Sequence, residues 1–303
     1  MPASKLITLT ECPRDAFQGF PKFIPTEQKT AYINGLIKAG VRRIDFGSFV
    51  SPKAVPQMAD TAAVFENITP AKGLYLIGIV ANLRGAEGLV ACNQKWGHTG
   101  KKIHAAGFPM SVNETFQKRN TNKDLDEAWD DLDMIVDTCV EDEVEVVGYL
   151  SMAFGNPYGE FHDVKIVVDF ARRLQSMGVS CIQLADTVGV ATAKQVADTY
   201  TLVRAAVPEV PVGVHLHAKP ASVRDKVKAA LDAGCRLFDS AVGGIGGCPF
   251  AEDELIGNMD TIKLMGVLTE SGFETQYRVD DLLHSAAEAQ KLMRSFGPQS
   301  STA

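Results

Sequence analysis

A chain of 303 residues can bury a large core, and one α/β barrel of roughly 250 residues with extensions fits that length as well as two ordinary domains do. With 46% hydrophobic and 22% charged residues it is neither disordered nor fibrous, and it holds no apolar run near the roughly 20 residues that cross a bilayer, so no membrane association is expected. A net charge of −7 argues against non-specific nucleic-acid binding, which draws its free energy from neutralising phosphates with Lys and Arg.

The first residues lead directly into a strand-like segment with no signal-peptide apolar region, and the six cysteines form no CxxC pair, so a reducing, cytoplasmic setting is expected with most thiols buried. β-rich runs then recur along the chain at 6–11, 43–48, 74–81, 102–107, 144–153, 181–186, 210–218 and 236–242. Between them lie helical patterns. Val164, Val167, Val168, Ala171 and Leu174 share one apolar face, as do Val223, Val227, Ala230 and Leu231. Helices are expected to stop at Ala39-Gly40, Met177-Gly178 and Ala233-Gly234. Two more helices are predicted at 252–265 and 280–295, with a frayed tail at 297–303. Eight βα units favour a closed α/β fold, a (β/α)₈ TIM barrel, over an open doubly wound sheet, because closure leaves no edge strand. The chain reads as one domain over 1–303, with the barrel at about 5–270 and a helical extension at about 271–296.

In such barrels the reactive groups sit at the C-terminal ends of the strands. The first strand ends in Thr10-Glu11-Cys12-Pro13-Arg14-Asp15, which puts a guanidinium beside a carboxylate. The seventh ends in Val214-His215-Leu216-His217, whose period of two sets both imidazoles on one face. A hydrogen-bonded structural pair is the plain alternative, but two nitrogens at that end of a barrel strand also make a metal edge. Oxygen from Asp15 and Asn258 would complete an open N/O shell suited to Mg²⁺ or Mn²⁺. After the eighth strand, Val242-Gly243-Gly244-Ile245-Gly246-Gly247-Cys248-Pro249 places four glycines around one thiol. It comes too late in the chain for a dinucleotide fingerprint, and reads either as a hinged lid carrying a proton donor or as a tight turn around a buried small residue.

Taken together, Glu11-Cys12-Pro13-Arg14-Asp15, Ser48-Phe49-Val50-Ser51-Pro52-Lys53, Ala185-Asp186-Thr187-Val188-Gly189-Val190, His215-Leu216-His217 and Gly243-Gly244-Ile245-Gly246-Gly247-Cys248-Pro249 resemble the hydroxymethylglutaryl-CoA lyase family of DRE-TIM metallolyases. The resemblance implies a carbon–carbon lyase that takes an acyl-CoA thioester. It implies Asp15, His215, His217 and Asn258 as metal ligands, Arg14 as the cation that stabilises a thioester enolate, and Cys248 as a mobile acid. Asp45 and Asp186 join the catalytic set, and Arg14, Gln18, Ser48 and Asn82 are expected against the substrate. A homo-oligomer, a dimer, is expected. Asp45 stands where the family has Glu, and Ala218 follows His217 where Asp is expected; both changes are expected to enlarge the pocket and favour a bulkier hydroxyacyl-CoA. The alternatives are a related lyase or aldolase with another hydroxyacyl-CoA or hydroxy-oxo acid, and a barrel that binds acyl-CoA or metal without catalysis.

Overall fold

The computed structural model describes residues 5–246 and 256–298. In chain order it contains β1 (Leu6–Glu11), α1 (Pro13–Phe17), α2 (Thr26–Lys38), β2 (Arg43–Ser48), α3 (Thr61–Asn67), β3 (Tyr75–Ile79), α4 (Leu83–Trp96) and β4 (Ala105–Ser111). There follow α5 (Glu114–Thr121), α6 (Leu125–Glu141), β5 (Glu145–Ser151), α7 (Val164–Ser176), β6 (Cys181–Asp186), α8 (Ala193–Ala206) and β7 (Val212–Leu216). The chain continues with α9 (Val223–Asp232), β8 (Leu237–Ser240), α10 (Thr261–Glu270), a two-residue β9 (Glu274–Thr275) and α11 (Val279–Phe296).

Strands β1 to β8 are parallel to their neighbours in sequence order, and β1 pairs with both β8 and β2, so the sheet closes into the expected (β/α)₈ barrel. The large apolar core lies between the strands and the helical ring, where Leu9, Ile44, Leu76, Phe108, Leu150 and Phe238 are buried. A smaller cluster of Ile77, Ile79, Ala105, Val147, Tyr149 and Cys181 fills the inside of the barrel. Helix starts follow side-chain chemistry. Asp124 and Thr192 form capping boxes at α6 and α8, and Asn82, Asn113 and Asp163 each accept a backbone N–H at the start of α4, α5 and α7. Gly40, Gly178 and Gly234 take positive φ just past α2, α7 and α9, as their sequence positions predict.

Two elements differ from the sequence expectation. β4 runs on through Pro109 to Ser111. The carbonyl of Gly107 faces β3, so by alternation the missing N–H of Pro109 also faces that side, where the β3 ladder has already ended at Gly107. The pairing with β5 therefore continues undisturbed. Of the helix expected at 252–265, residues 252–255 lie outside the described residues, 256–260 are not helical, and the helix starts at Thr261, capped by Asp260. Residues 256–260 instead return to the barrel mouth. A Cβ at Gly257 would collide with the Gly244 carbonyl, and Met259 donates its backbone N–H to Leu216. Cys12, Cys92, Cys139, Cys181 and Cys235 are buried free thiols, and Cys248 lies outside the described residues. Among the described residues no helix is long and apolar enough to cross a membrane.

Candidate active site

Pro13 has no N–H to lose and a fixed φ, so a helical turn starts immediately after β1 and carries Arg14 and Asp15 together at the barrel mouth. Both are buried, at 9% and 8% exposure. Arg14 is held on two sides. Its Nε donates to both Asp45 carboxylate oxygens at 3.2 and 3.0 Å, its Nη2 reaches Asp45 Oδ2 at 2.5 Å, and its Nη1 reaches Asp15 Oδ1 at 3.0 Å. This forked, charge-assisted clamp fixes the plane of the guanidinium. Burial works against its charge, but Asp45 and Asp15 outweigh it and hold the pKa above the ordinary arginine value. Gln18, one turn on, accepts from Arg14 at 3.2 Å and donates to Asp15 at 2.8 Å, so it braces the pair.

The two imidazoles of β7 face Asp15. His215 Nδ1 lies 3.1 Å from Asp239 Oδ2, and His217 Nδ1 lies 2.7 Å from the Ile256 carbonyl. Those acceptors fix the N–H on Nδ1 of each ring and turn both Nε2 atoms inward. The Nε2 atoms sit 3.3 Å apart, and Asp15 Oδ2 is 4.0 Å from one and 3.7 Å from the other. Two lone pairs and a carboxylate facing one point make a donor set that fits a divalent cation. Burial opposes the charge of Asp15, yet Arg14, the two imidazoles and Asn258 pull its pKa down to about 2. Burial also opposes charge on His215, which the hydrogen bond to Asp239 and the charge of Asp15 overcome, raising its pKa. The pKa of His217 is lowered, by burial first, against the pull of Asp15. Asn258 joins this group through its amide nitrogen, which donates to Asp15 Oδ2 at 2.7 Å and to the Ile245 carbonyl at 3.0 Å.

Beside this cluster opens a cleft of about 210 Å³. Arg14, Asp15, Gln18, Ser48, Asn82, His215 and His217 all line it, so the structure brings these predicted residues together. Asn82 already uses its Oδ1 to cap α4 through Gly85 N at 3.0 Å, and Ser48 Oγ lies 3.4 Å from the Ile79 carbonyl. The rest of the lining mixes apolar Val50, Val55, Ile79, Pro109 and Phe116 with polar Ser51, Asn120, Thr121 and Ser151. Asp186 does not face the cleft. Strand alternation gives that face to Ala185 and Thr187 and turns Asp186 toward α9, where Lys226 Nζ donates to it at 2.7 Å and to the His217 carbonyl at 3.0 Å. Its place is that of a positioning residue behind β7. The expected enlargement of the pocket also has no geometric basis. Asp45 is fully buried behind Arg14, and Ala218 borders a separate cavity with Lys219 and Gly257, so neither lines the cleft.

Sequence reasoning missed three residues. Asp239 on β8 orients His215 and is itself fixed by Gln183 Nε2 at 2.8 Å. Tyr149 on β5 meets His215 edge-on at 6.0 Å between ring centroids, with its hydroxyl buried in the cleft wall and no hydrogen-bond partner among the described residues. The signal for all three was alternation. An acid, an amide and a phenol at inward positions of otherwise apolar strands have no reason to be there except as parts of a polar centre.

The family model described as HMGL-like matches residues 6–288. The chain belongs to the HMGL-like family. A hydroxymethylglutaryl-CoA lyase of Bacillus subtilis is 31% identical over 94% of this chain and 93% of its own length. A 3-hydroxy-3-isohexenylglutaryl-CoA/hydroxymethylglutaryl-CoA lyase of Pseudomonas aeruginosa is 32% identical over 94% of this chain and 91% of its own. Among solved structures, an HMG-CoA lyase from A. baumannii in complex with coenzyme A and 3-methylmalate superposes with a TM-score of 0.88 at 29% identity, covering 99% of this chain and 95% of that one. These relatives are carbon–carbon lyases of the same barrel fold.

Proposed function

We propose that this chain cleaves a 3-hydroxy-3-methylglutaryl-CoA-like thioester to acetyl-CoA and acetoacetate by retro-Claisen chemistry. The observation that carries this reading is the clamped Arg14 standing directly beside the Asp15, His215 and His217 cluster. Such cleavage passes the proton of a tertiary hydroxyl to a general base, breaks the adjacent carbon–carbon bond and sends its electron pair onto the thioester, whose enolate carbon then takes up one proton in return. A divalent cation held by Asp15, His215 and His217, with the amide oxygen of Asn258 joining them once its nitrogen gives up Asp15 Oδ2, would lower the pKa of that hydroxyl. The mixed nitrogen and oxygen donors favour Mg²⁺ or Mn²⁺ over a closed zinc site.

Arg14, locked by Asp45, presents a cation that does not have to reorganise when the thioester oxygen gains charge. His215 and His217 keep their Nε2 atoms inward because Asp239 and the Ile256 carbonyl occupy the other nitrogens. Gln18, Ser48 and Asn82 orient the substrate, and the apolar side chains of the cleft, Val50, Val55, Ile79, Pro109 and Phe116, help to keep water from the enolate carbon. Cys248 supplies the proton that completes acetyl-CoA, since a thiol with an ordinary pKa near 8.5 is protonated at pH 7. The same reading carries a cytoplasmic homodimer. A second substrate, a hydroxyacyl-CoA with a larger apolar branch, is favoured by the Val50, Val55, Pro109 and Phe116 wall and by the P. aeruginosa relative.

The test is release of acetyl-CoA from a panel of 3-hydroxyacyl-CoA thioesters, with chelator and after return of Mg²⁺ or Mn²⁺, using the wild type and Arg14→Met. Chelation should abolish turnover and Arg14→Met should lower kcat by roughly 10² to 10³, the scale for one lost oxyanion-stabilising group. Full activity after metal stripping, or a loss confined to KM in Arg14→Met, would reject this assignment.

A further inference from the structure

The opposite end of the barrel carries a second cavity, of mixed polar and apolar lining, that the reaction does not use. It measures about 450 Å³ and is lined by the first residues of several strands, among them Arg43 of β2, Glu145 of β5, Cys181 of β6 and Leu237 of β8, together with Arg204 near the end of α8 and Arg236 just before β8. Three arginines thus line one concavity with a single carboxylate, in a chain whose net charge is −7, and the Arg236 guanidinium also stacks 4.6 Å over the Phe273 ring. That carboxylate, Glu145, accepts the Tyr75 hydroxyl at 2.5 Å.

None of the three arginines pairs with a carboxylate among the described residues. Each is instead tethered by part of its fork. Arg43 Nε donates to Thr10 Oγ1 at 3.2 Å while its guanidinium stacks 4.2 Å over the Tyr75 ring. Arg204 Nη1 donates to the Val207 carbonyl at 3.2 Å, and Arg236 Nη1 to the carbonyls of Leu231 and Cys235 at 3.1 and 2.7 Å. An arginine carries five N–H donors, so these tethers fix each group while leaving most of its donors unused. Pre-positioned, partly satisfied guanidiniums match the oxygens of phosphate and carboxylate groups. The concavity has the volume of a small-molecule site and opens broadly to solvent, so an anion would reach it directly.

We propose that this N-terminal mouth is a binding site for a small multivalent oxyanion, a phosphate-bearing or dicarboxylate metabolite, distinct from the catalytic cleft. The inference is independent of the reaction assigned to that cleft. Metal-loaded protein is titrated with sodium phosphate and, separately, sodium succinate, with ionic strength matched by sodium chloride, and binding is read by calorimetry and thermal melting. Saturable binding should raise Tm by about 2 to 5 °C near saturation. Whichever anion binds more tightly identifies the headgroup chemistry. Arg204 is exposed, so Arg204→Glu should fold normally, keep full lyase turnover and weaken the anion at least about tenfold; Arg236→Gln should weaken it in the same direction. Arg14→Met, altered at the other end of the barrel, should bind the anion as the wild type does. No stabilisation beyond the chloride control overturns the proposal. So does stabilisation lost in Arg14→Met and kept in Arg204→Glu, which would place the anion in the catalytic cleft.

Discussion

Replacing Asp45 by Asn removes the charge that holds Arg14 without changing the volume behind it. Three close contacts join the two side chains, from Nε to both carboxylate oxygens and from Nη2 to one. An amide offers one oxygen and turns an NH₂ toward the other guanidinium nitrogen, so donor faces donor. Both groups are nearly fully buried, which means that screening does little to soften the loss. Breaking a buried pair by removing one charge costs about 3–5 kcal/mol. In a chain of this size that lowers Tm by about 10 °C. The rate should suffer separately, because Arg14 keeps only Asp15 and Gln18 as partners and swings toward them. A displacement of about 1 Å at a reacting group is worth roughly 10² in rate. Steady-state kinetics of Asp45→Asn, measured well below its Tm with bound metal quantified on the same sample, should show kcat down about 10² or more and metal content unchanged. If kcat stays within twofold while Tm falls, Asp45 supports the fold alone and the clamp has no catalytic meaning.

Asp239→Asn should weaken divalent-cation affinity about 10- to 100-fold, because it fixes the tautomer of His215 from outside; calorimetric titration that gives an unchanged affinity rejects that role. Cys248→Ala should slow turnover and leave bound metal unchanged, whereas parallel loss of both would make Cys248 a ligand or a structural group. Glu11 supplies a pH test remote from catalysis. Burial pushes its carboxyl up to about 8 against hydrogen bonds from Thr261 and Val242, so folding favours the protonated form. That contribution is complete below the ordinary value of 4.5, declines as pH rises above it and is gone past about 8. Tm of the wild type should therefore fall between pH 5 and 8 by more than that of Glu11→Gln, whose amide oxygen still accepts from Val242 and whose NH₂ replaces the carboxyl oxygen facing Thr261; parallel pH profiles would show that Glu11 is ionised in the fold.

The barrel was legible because its signals are local and repeated. Period-two apolar runs, 3.6-period faces and glycines after helices each follow from backbone geometry over a few residues, and eight repetitions leave few alternative topologies. Boundaries were less legible where tertiary context decides them. Pro109 reads as a stop, yet it sits within β4 because the neighbouring strand has already ended on the side its missing N–H faces. The stretch before Thr261 reads as helix from its apolar spacing, yet Gly257, Asn258 and Met259 are drawn to the strand ends by the backbone bonds of Leu216 and Ala241.

At the site, the residues that face the cleft from strand ends could be found, and those that hold them could not. Asp15, His215 and His217 are adjacent in sequence to strand termini, so the alternation of β7 and the position of Pro13 suffice to place them. Asp45 and Asp186 look equally catalytic by position, but their side chains are spent on Arg14 and Lys226. That distinction depends on which buried cation lies opposite, which no local pattern encodes. It also reverses the argument from pocket size. Val50, Val55, Ile79, Pro109 and Phe116 are among the residues that line the cleft, whereas the one-methylene difference between Asp and Glu at position 45 lies behind the guanidinium. A longer acid there would press on Arg14 and not on the acyl chain. On the proposed function, the departure at Asp45 therefore acts on where the Arg14 guanidinium stands, and so on the rate of bond cleavage, while the choice of acyl group falls to the side chains that line the cleft.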